Sequence, residues 1–207
     1  MSILDRGTMK PLIVALDLEF NQPSRKLIQI GAVVGDLTTG RVVDRFSAFA
    51  NPSEQIALRI KLLTGIKQSD VDAAPDIRVA YRQLVTWMKP YLGQLQPNPL
   101  TWGGGDSEDL REAVRLDRED KGWCFGRRWT DAKTVFYSWR AANNRPGAGS
   151  LARSMTKLGL AFHGRRHNAQ DDAENTFRIY FALLRQFQPE LVPGPEQSKT
   201  SARHRAP

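Results

Sequence analysis

Two rhythms of apolar positions run along this chain. Residues 11–16 are apolar almost throughout, with β-branched Ile13 and Val14 at their centre, and predict a buried strand. A second run at Leu27–Val34 and a third at Arg41–Phe49, separated by the turn cluster Asp36–Gly40, predict an antiparallel meander. The pattern lapses over residues 51–75, apart from a short helix around Leu58–Leu63. Ala74-Pro75-Asp76 then opens a helix in which Ile77, Ala80, Leu84, Val85 and Met88 recur at helical spacing through Tyr91.

A loop at 94–99 leads to a short apolar strand, Leu100-Thr101-Trp102, closed by Gly103-Gly104-Gly105, and Asp106 opens a helix that buries Leu110 and Val114. A last extended segment is expected within Arg128–Lys133, followed by helices at Thr134–Ala142, Ser150–Leu158 and Asn168–Gln186. The pattern places one α/β domain at 10–187, with a polar lead-in at 1–9 and a tail at 188–207 whose Pro, Gly, Ser and charged residues predict disorder. There is no internal repeat and no sign of a second domain.

Composition narrows the classes. With 41% apolar and 25% charged residues among 207, the chain is globular in composition and long enough to bury a core. One cysteine, Cys124, excludes an intramolecular disulfide and a cysteine-based zinc site. The early apolar run Leu12–Leu16 ends at Asp17, too short to cross a bilayer or to form a signal-peptide core, so a soluble, cytoplasmic protein with no membrane contact is expected.

The net charge of +8 is unevenly spread. Arg111–Arg166 holds 13 Lys/Arg against 5 Asp/Glu, so the rest of the chain is balanced. The same stretch contains Trp123, Phe125, Trp129, Phe136, Tyr137 and Trp139. Cations attract phosphates and aromatic rings stack on bases, which suits single-stranded nucleic acid. The plainer reading is a solvated basic surface over an aromatic core.

Three acidic elements carry candidate chemistry. Asp17 and Glu19 end the first strand, and the strand period of two puts both carboxylates on one face. Asp106 follows the three glycines; it is placed either to cap the helix or to face the first pair across a backbone kept bare for a ligand. His167 precedes the last helix, and Asp172 lies five residues on, so the imidazole overhangs the face carrying that carboxylate; Asp171 is left to the helix N-terminus. Each element alone has a purely structural reading. Together, Asp17, Glu19, Asp106 and Asp172 would repel one another without cations, and hard oxygen donors suit two Mg²⁺ or Mn²⁺ ions. Two ions about 4 Å apart can activate water and stabilise the leaving oxygen of a phosphodiester. A histidine side chain, with a reference pKa of about 6.5, suits His167 to accept that water's proton.

Asp17-Leu18-Glu19, Asp106 and His167-x4-Asp172, in this order, resemble the DEDDh branch of the DnaQ-like 3′→5′ exonucleases, over about Leu12–Leu184. Ile28-Gln29-Ile30-Gly31, Leu63-Thr64-Gly65-Ile66, Val71-x-x-Ala74-Pro75 and Ser150-Leu151 extend the resemblance. It implies an RNase H-like fold with a central mixed five-stranded sheet flanked by helices, two metals on the four carboxylates, and His167 as general base. It also implies that Leu18, Phe20, Leu63, Thr64, Ile66 and Trp102 contact the terminal nucleotide of a single strand with a free 3′ end. Arg165 and Arg166, beside His167, are placed to grip the adjoining phosphate. The chain departs from proofreading members, with Phe20-Asn21 in place of a Thr-rich continuation and Trp102-Gly103-Gly104-Gly105 before Asp106. A Trp-Gly there is more similar to RNA-processing members, so RNA is the expected substrate. The alternatives are a DNA-preferring proofreading or repair exonuclease and a nucleic-acid-binding module without chemistry.

Overall fold

The computed structural model describes residues 11–96, 98–116, 122–145, 147 and 149–186; the 1–9 lead-in and the 188–207 tail lie outside them. Strands β1 (Leu12–Phe20), β2 (Leu27–Asp36) and β3 (Val42–Phe49) form the expected antiparallel meander. Short strands β4 (Leu100–Thr101) and β5 (Thr130–Asp131) add in parallel, completing a mixed sheet of order β3-β2-β1-β4-β5. β1 is central, and nine of the ten β2 residues are buried, which is why both lack an alternating polar face.

Alternation along β1 sorts the two sides of the core. Leu12, Val14, Leu16 and Leu18 join Ala80, Tyr81, Leu84 and Met88 of helix α3 (Ile77–Met88) and Leu110 and Val114 of α4 (Asp106–Val114). Ile13 and Ala15 face the opposite way, against Phe177 and Ile179 of the last helix, Ala169–Gln186, and Met155 of the helix Leu151–Lys157. A smaller cluster, Ile28, Ile56, Ile60, Ile66 and Val71, lies beneath two short helices. They are α1 (Leu58–Thr64) and α2 (Gln68–Asp72), the second of which has only five residues and shows no periodicity in the sequence. The remaining helices are α5 (Ala132–Ala142), α6 (Leu151–Lys157) and α7 (Ala169–Gln186). Pro90 shapes the end of α3 into a 3₁₀ turn, Lys89–Tyr91. No helix among the described residues is long and apolar enough to cross a membrane.

Candidate active site

The alternation that buries Ile13 and Ala15 against α7 brings Asp17 and Glu19 out on the same side of β1. Asp17 pairs with Gly31 and Glu19 with Gln29 on β2, and these two neighbours dock the start of α7. A Cβ on Gly31 would overlap the Ala169 carbonyl carbon and the Gln170 nitrogen, so helix backbone rests directly on strand backbone. The buried Gln29 side chain accepts from the Ala169 N–H at 3.2 Å and donates to Ser47 Oγ at 3.0 Å. The Gln29-x-Gly31 pair thus sets how closely α7 approaches the acid pair.

His167 lies two residues ahead of α7 with φ +60, a left-handed conformation that costs a non-glycine residue about 1 kcal/mol. Its main-chain N–H donates to Asp172 Oδ2 at 3.2 Å. A ring nitrogen of His167 and carboxylate oxygens of Glu19 and Asp172 all lie within 4.8 Å of one another. Asp171 accepts from the Arg165 N–H at 2.7 Å, so it holds the loop before α7 where the sequence suggested a helix N-terminal role. Sequence reasoning missed Asn175. Fully buried, it accepts from the His163 N–H at 3.0 Å and donates to the carbonyls of His163 at 2.8 Å and Asp171 at 2.7 Å. It clamps the loop that carries His167 onto α7.

Asp106 is the first residue of α4, and Gly105, with φ +113, holds the cap position, so the capping reading of Asp106 does not apply. The glycine loop is braced by Asp131, whose Oδ1 accepts from the Gly103 N–H at 2.9 Å and the Lys133 N–H at 2.8 Å. Asp131 was legible only as part of an extended segment; the Asp immediately before a helix was its signal.

Electrostatics register the convergence. Burial pushes the Asp17 carboxyl well above the usual range, and the charges of Asp172, Glu19 and Asp106 add to it. Glu19 rises to about 7 through burial and the Asp172 charge. Asp106 rises to about 7 through burial and the nearby Asp109 and Asp131 carboxylates. Asp172 rises to about 6 through burial, although the His167 N–H and Arg166 pull it down. Four half-buried carboxylates without a compensating cation are mutually destabilising, and their hard oxygen donors fit divalent magnesium or manganese.

Leu18, Glu19, Phe20, Ala57, Arg59 and Leu63 line a cleft of about 730 Å³ against the acid pair. Leu63 is 43% exposed there. Thr64 and Ile66 are instead buried: the Thr64 hydroxyl donates to the Ile60 carbonyl at 2.8 Å, and Ile66 packs in the cluster under α1. They shape the cleft wall from behind. Asn21, also buried, ties the end of β1 to this wall, accepting from the Ala57 N–H at 2.9 Å and donating to Glu54 at 2.6 Å. Trp102 is half-buried, its ring 6.0 Å from that of Phe136. Arg165 lies over Gly65 at the end of α1, bridging the cleft wall and the histidine turn. Arg166 stacks its guanidinium 5.9 Å from the Phe162 ring.

Of the two readings of the aromatic stretch, the core reading applies. Trp123, Phe125 and Phe136 are buried, and Trp129 is half-buried and stacked 6.3 Å from Trp123, so these rings build core and are not displayed to bases. Burial of apolar area outweighs any exposed stacking role for rings this large. Among the described arginines of the stretch, Arg115, Arg127, Arg128, Arg145, Arg153, Arg165 and Arg166 are exposed.

A mixed sheet of order β3-β2-β1-β4-β5, with paired acids at the end of its central strand, is the fold of solved DEDDh exonucleases. The sequence profile of the RNase_T exonucleases matches residues 14–180, and the chain belongs to that family. It is 29% identical to ERI1 exoribonuclease 2 of Mus musculus over 181 residues, which covers 78% of this chain and 26% of the mouse protein. It is 24% identical to the 3′-5′ exonuclease Snipper of Drosophila melanogaster, covering 77% of this chain and 61% of Snipper. The chain therefore spans about a quarter of the length of the first relative. Among solved structures, the nuclease domain of 3′hExo bound to rAMP superposes with a TM-score of 0.72 at 23% identity, covering 87% of this chain and 94% of that one. This likeness carries the fold.

Proposed function

We propose that this protein is a divalent-metal-dependent exonuclease that shortens single-stranded RNA from its 3′ end and releases nucleoside 5′-monophosphates. The convergence of Asp17, Glu19, Asp106 and Asp172 is the observation that carries the reading, since the other three raise the pKa of Asp17. Two Mg²⁺ or Mn²⁺ ions held by these carboxylates would polarise the attacking water and neutralise charge developing on the phosphate. His167, beside Glu19 and Asp172, would accept the proton of that water. Water oxygen bonds to phosphorus, the bond to the preceding 3′ oxygen breaks, and that oxygen takes a proton from solvent, so a strand one nucleotide shorter leaves with a 3′ hydroxyl. The cleft between Phe20 and Leu63 receives the terminal base, and Arg165 and Arg166 face the next phosphate.

The RNA preference rests on the Trp102-Gly103 sequence before Asp106 and on the exoribonuclease relatives. We also propose a cytoplasmic setting, where Cys124 stays a free thiol. The test is degradation of matched 5′-labelled RNA, single-stranded DNA and duplex oligonucleotides in Mg²⁺ or Mn²⁺. The expected result is a ladder shortening by single nucleotides from the 3′ end, fastest on single-stranded RNA and abolished by chelator. Internal cleavage, or no cleavage with either metal, contradicts the proposal, and faster DNA degradation overturns the sugar preference.

A further inference from the structure

Away from the acids, helix α3 carries Arg78 and Arg82 four residues apart, and Lys89 follows seven residues later in the adjoining turn. At 100° per residue these positions form one stripe about 16 Å long. The stripe borders a groove of about 530 Å³ whose opposite rim is Arg115, at the end of α4. Val85, Val114 and Leu116 contribute apolar lining, and none of the described residues lining the groove is acidic. All four cations are exposed, and none has an ion-pair partner among the described residues. Like charges four apart on a helix destabilise it by a few tenths of a kcal/mol, and this stripe carries no offsetting acid. A surface of this kind complements a polyanion.

We propose that this groove is a second nucleic-acid site, gripping the phosphate backbone of the substrate upstream of its 3′ end. The assignment rests on the exonuclease reading above. Two features favour a strand over a single phosphate or another acidic surface. The cations are spread over the length of the stripe, so one anion cannot meet them together. And α4 begins at Asp106 and ends at this groove, so the two sites lie one helix length apart, about 13 Å. A strand whose last phosphodiester lies at Asp106 reaches Arg115 and Arg82 within a few nucleotides. The groove thereby predicts tighter holding of longer substrates without any change in the chemistry at the end.

The test uses Arg78→Ser/Arg82→Ser/Lys89→Ser, three exposed positions outside the active site. Binding of a labelled 12-nucleotide RNA is titrated at several salt concentrations in an Asp17→Asn background, with and without the triple substitution. Each single-strand phosphate contact contributes about 0.7 to the salt slope. Losing three should lower the slope by about 2, so that raising salt from 50 to 200 mM costs the unsubstituted protein about 20-fold more affinity than the triple variant. Trinucleotide turnover, measured with Asp17 intact, should be unchanged, and the melting temperature should not fall. An unchanged slope and affinity for the 12-mer overturn the groove site. So does an equal loss on the trinucleotide, or loss of binding to phosphatidylserine vesicles with RNA binding kept. If the protein with native Arg78, Arg82 and Lys89 does not cleave the trinucleotide at all, the exonuclease reading fails instead, and the binding arm still judges the groove.

Discussion

Asp17 is the residue most exposed to its neighbours' charge, since it lies between Glu19, Asp106 and Asp172 on a face otherwise committed to the core. Asp17→Asn and Asp172→Asn should each abolish turnover. Without metal, each should also raise the melting temperature, because a buried repulsion is removed. Scanning fluorimetry in chelator beside a turnover assay checks both, and near-native rates in either variant refute the assignment. His167→Ala should slow turnover by roughly 10²–10⁴-fold with metal binding retained, read from rates and from metal-dependent melting shifts. Loss of metal binding would make His167 a ligand, a role its position within 4.8 Å of two carboxylates makes worth testing. These residues were legible because acids at a strand end, after a glycine run and five positions past a histidine have no shared structural purpose. Asn21 and Asn175 were not legible, and of Asp131 only its place before a helix was, not its hold on the glycine loop. Their hydrogen bonds run to Ala57, Gly103 and His163, and no local pattern announces such partners.

Elements bring the distant acids together, and the closest fit is between β2 and α7. Gly31→Ala forces a methyl group into the Ala169–Gln170 backbone, and overpacking of this kind costs about 1–3 kcal/mol. More specifically, it displaces Asp172 from Glu19. The expected outcome is weakened metal-dependent activity that excess Mn²⁺ partly restores. Gly104→Ala is the contrast, because nothing lies within 4 Å of a Cβ there, and it should leave melting and metal dependence unaltered. Wild-type metal dependence in Gly31→Ala would show that the α7 approach does not set the site. At this scale the strands and long helices were readable from period alone, since each buries a continuous apolar face. The aromatic run left two readings open because composition does not distinguish a ring in the core from one at the surface. Trp123 stacks on Tyr81 of α3, a partner about forty positions away, and Phe125 packs edge-on against Trp123.

For the molecule as a whole, the acid cluster makes stability depend on pH in an inverted sense. Glu19 and Asp106 are raised to about 7 and Asp172 to about 6, from ordinary values near 4. The metal-free folded state therefore keeps protons that the unfolded chain releases between about pH 4 and 7, and stability falls as pH rises through that window. Bound cations favour the ionised carboxylates and should reverse the trend. Melting temperatures at pH 5 and pH 7.5, in chelator and in Mn²⁺, check this; a metal-free protein that is more stable at pH 7.5 contradicts it. The central claim is that the four carboxylates together hold two divalent ions. Calorimetric titration of Mn²⁺ at pH 7.5, in the presence of a nucleoside 5′-monophosphate, tests it most directly. Two ions per chain in the native protein, falling to one or none in Asp17→Asn, is the predicted result. A single ion in the native protein, or an unchanged stoichiometry in Asp17→Asn, would contradict it.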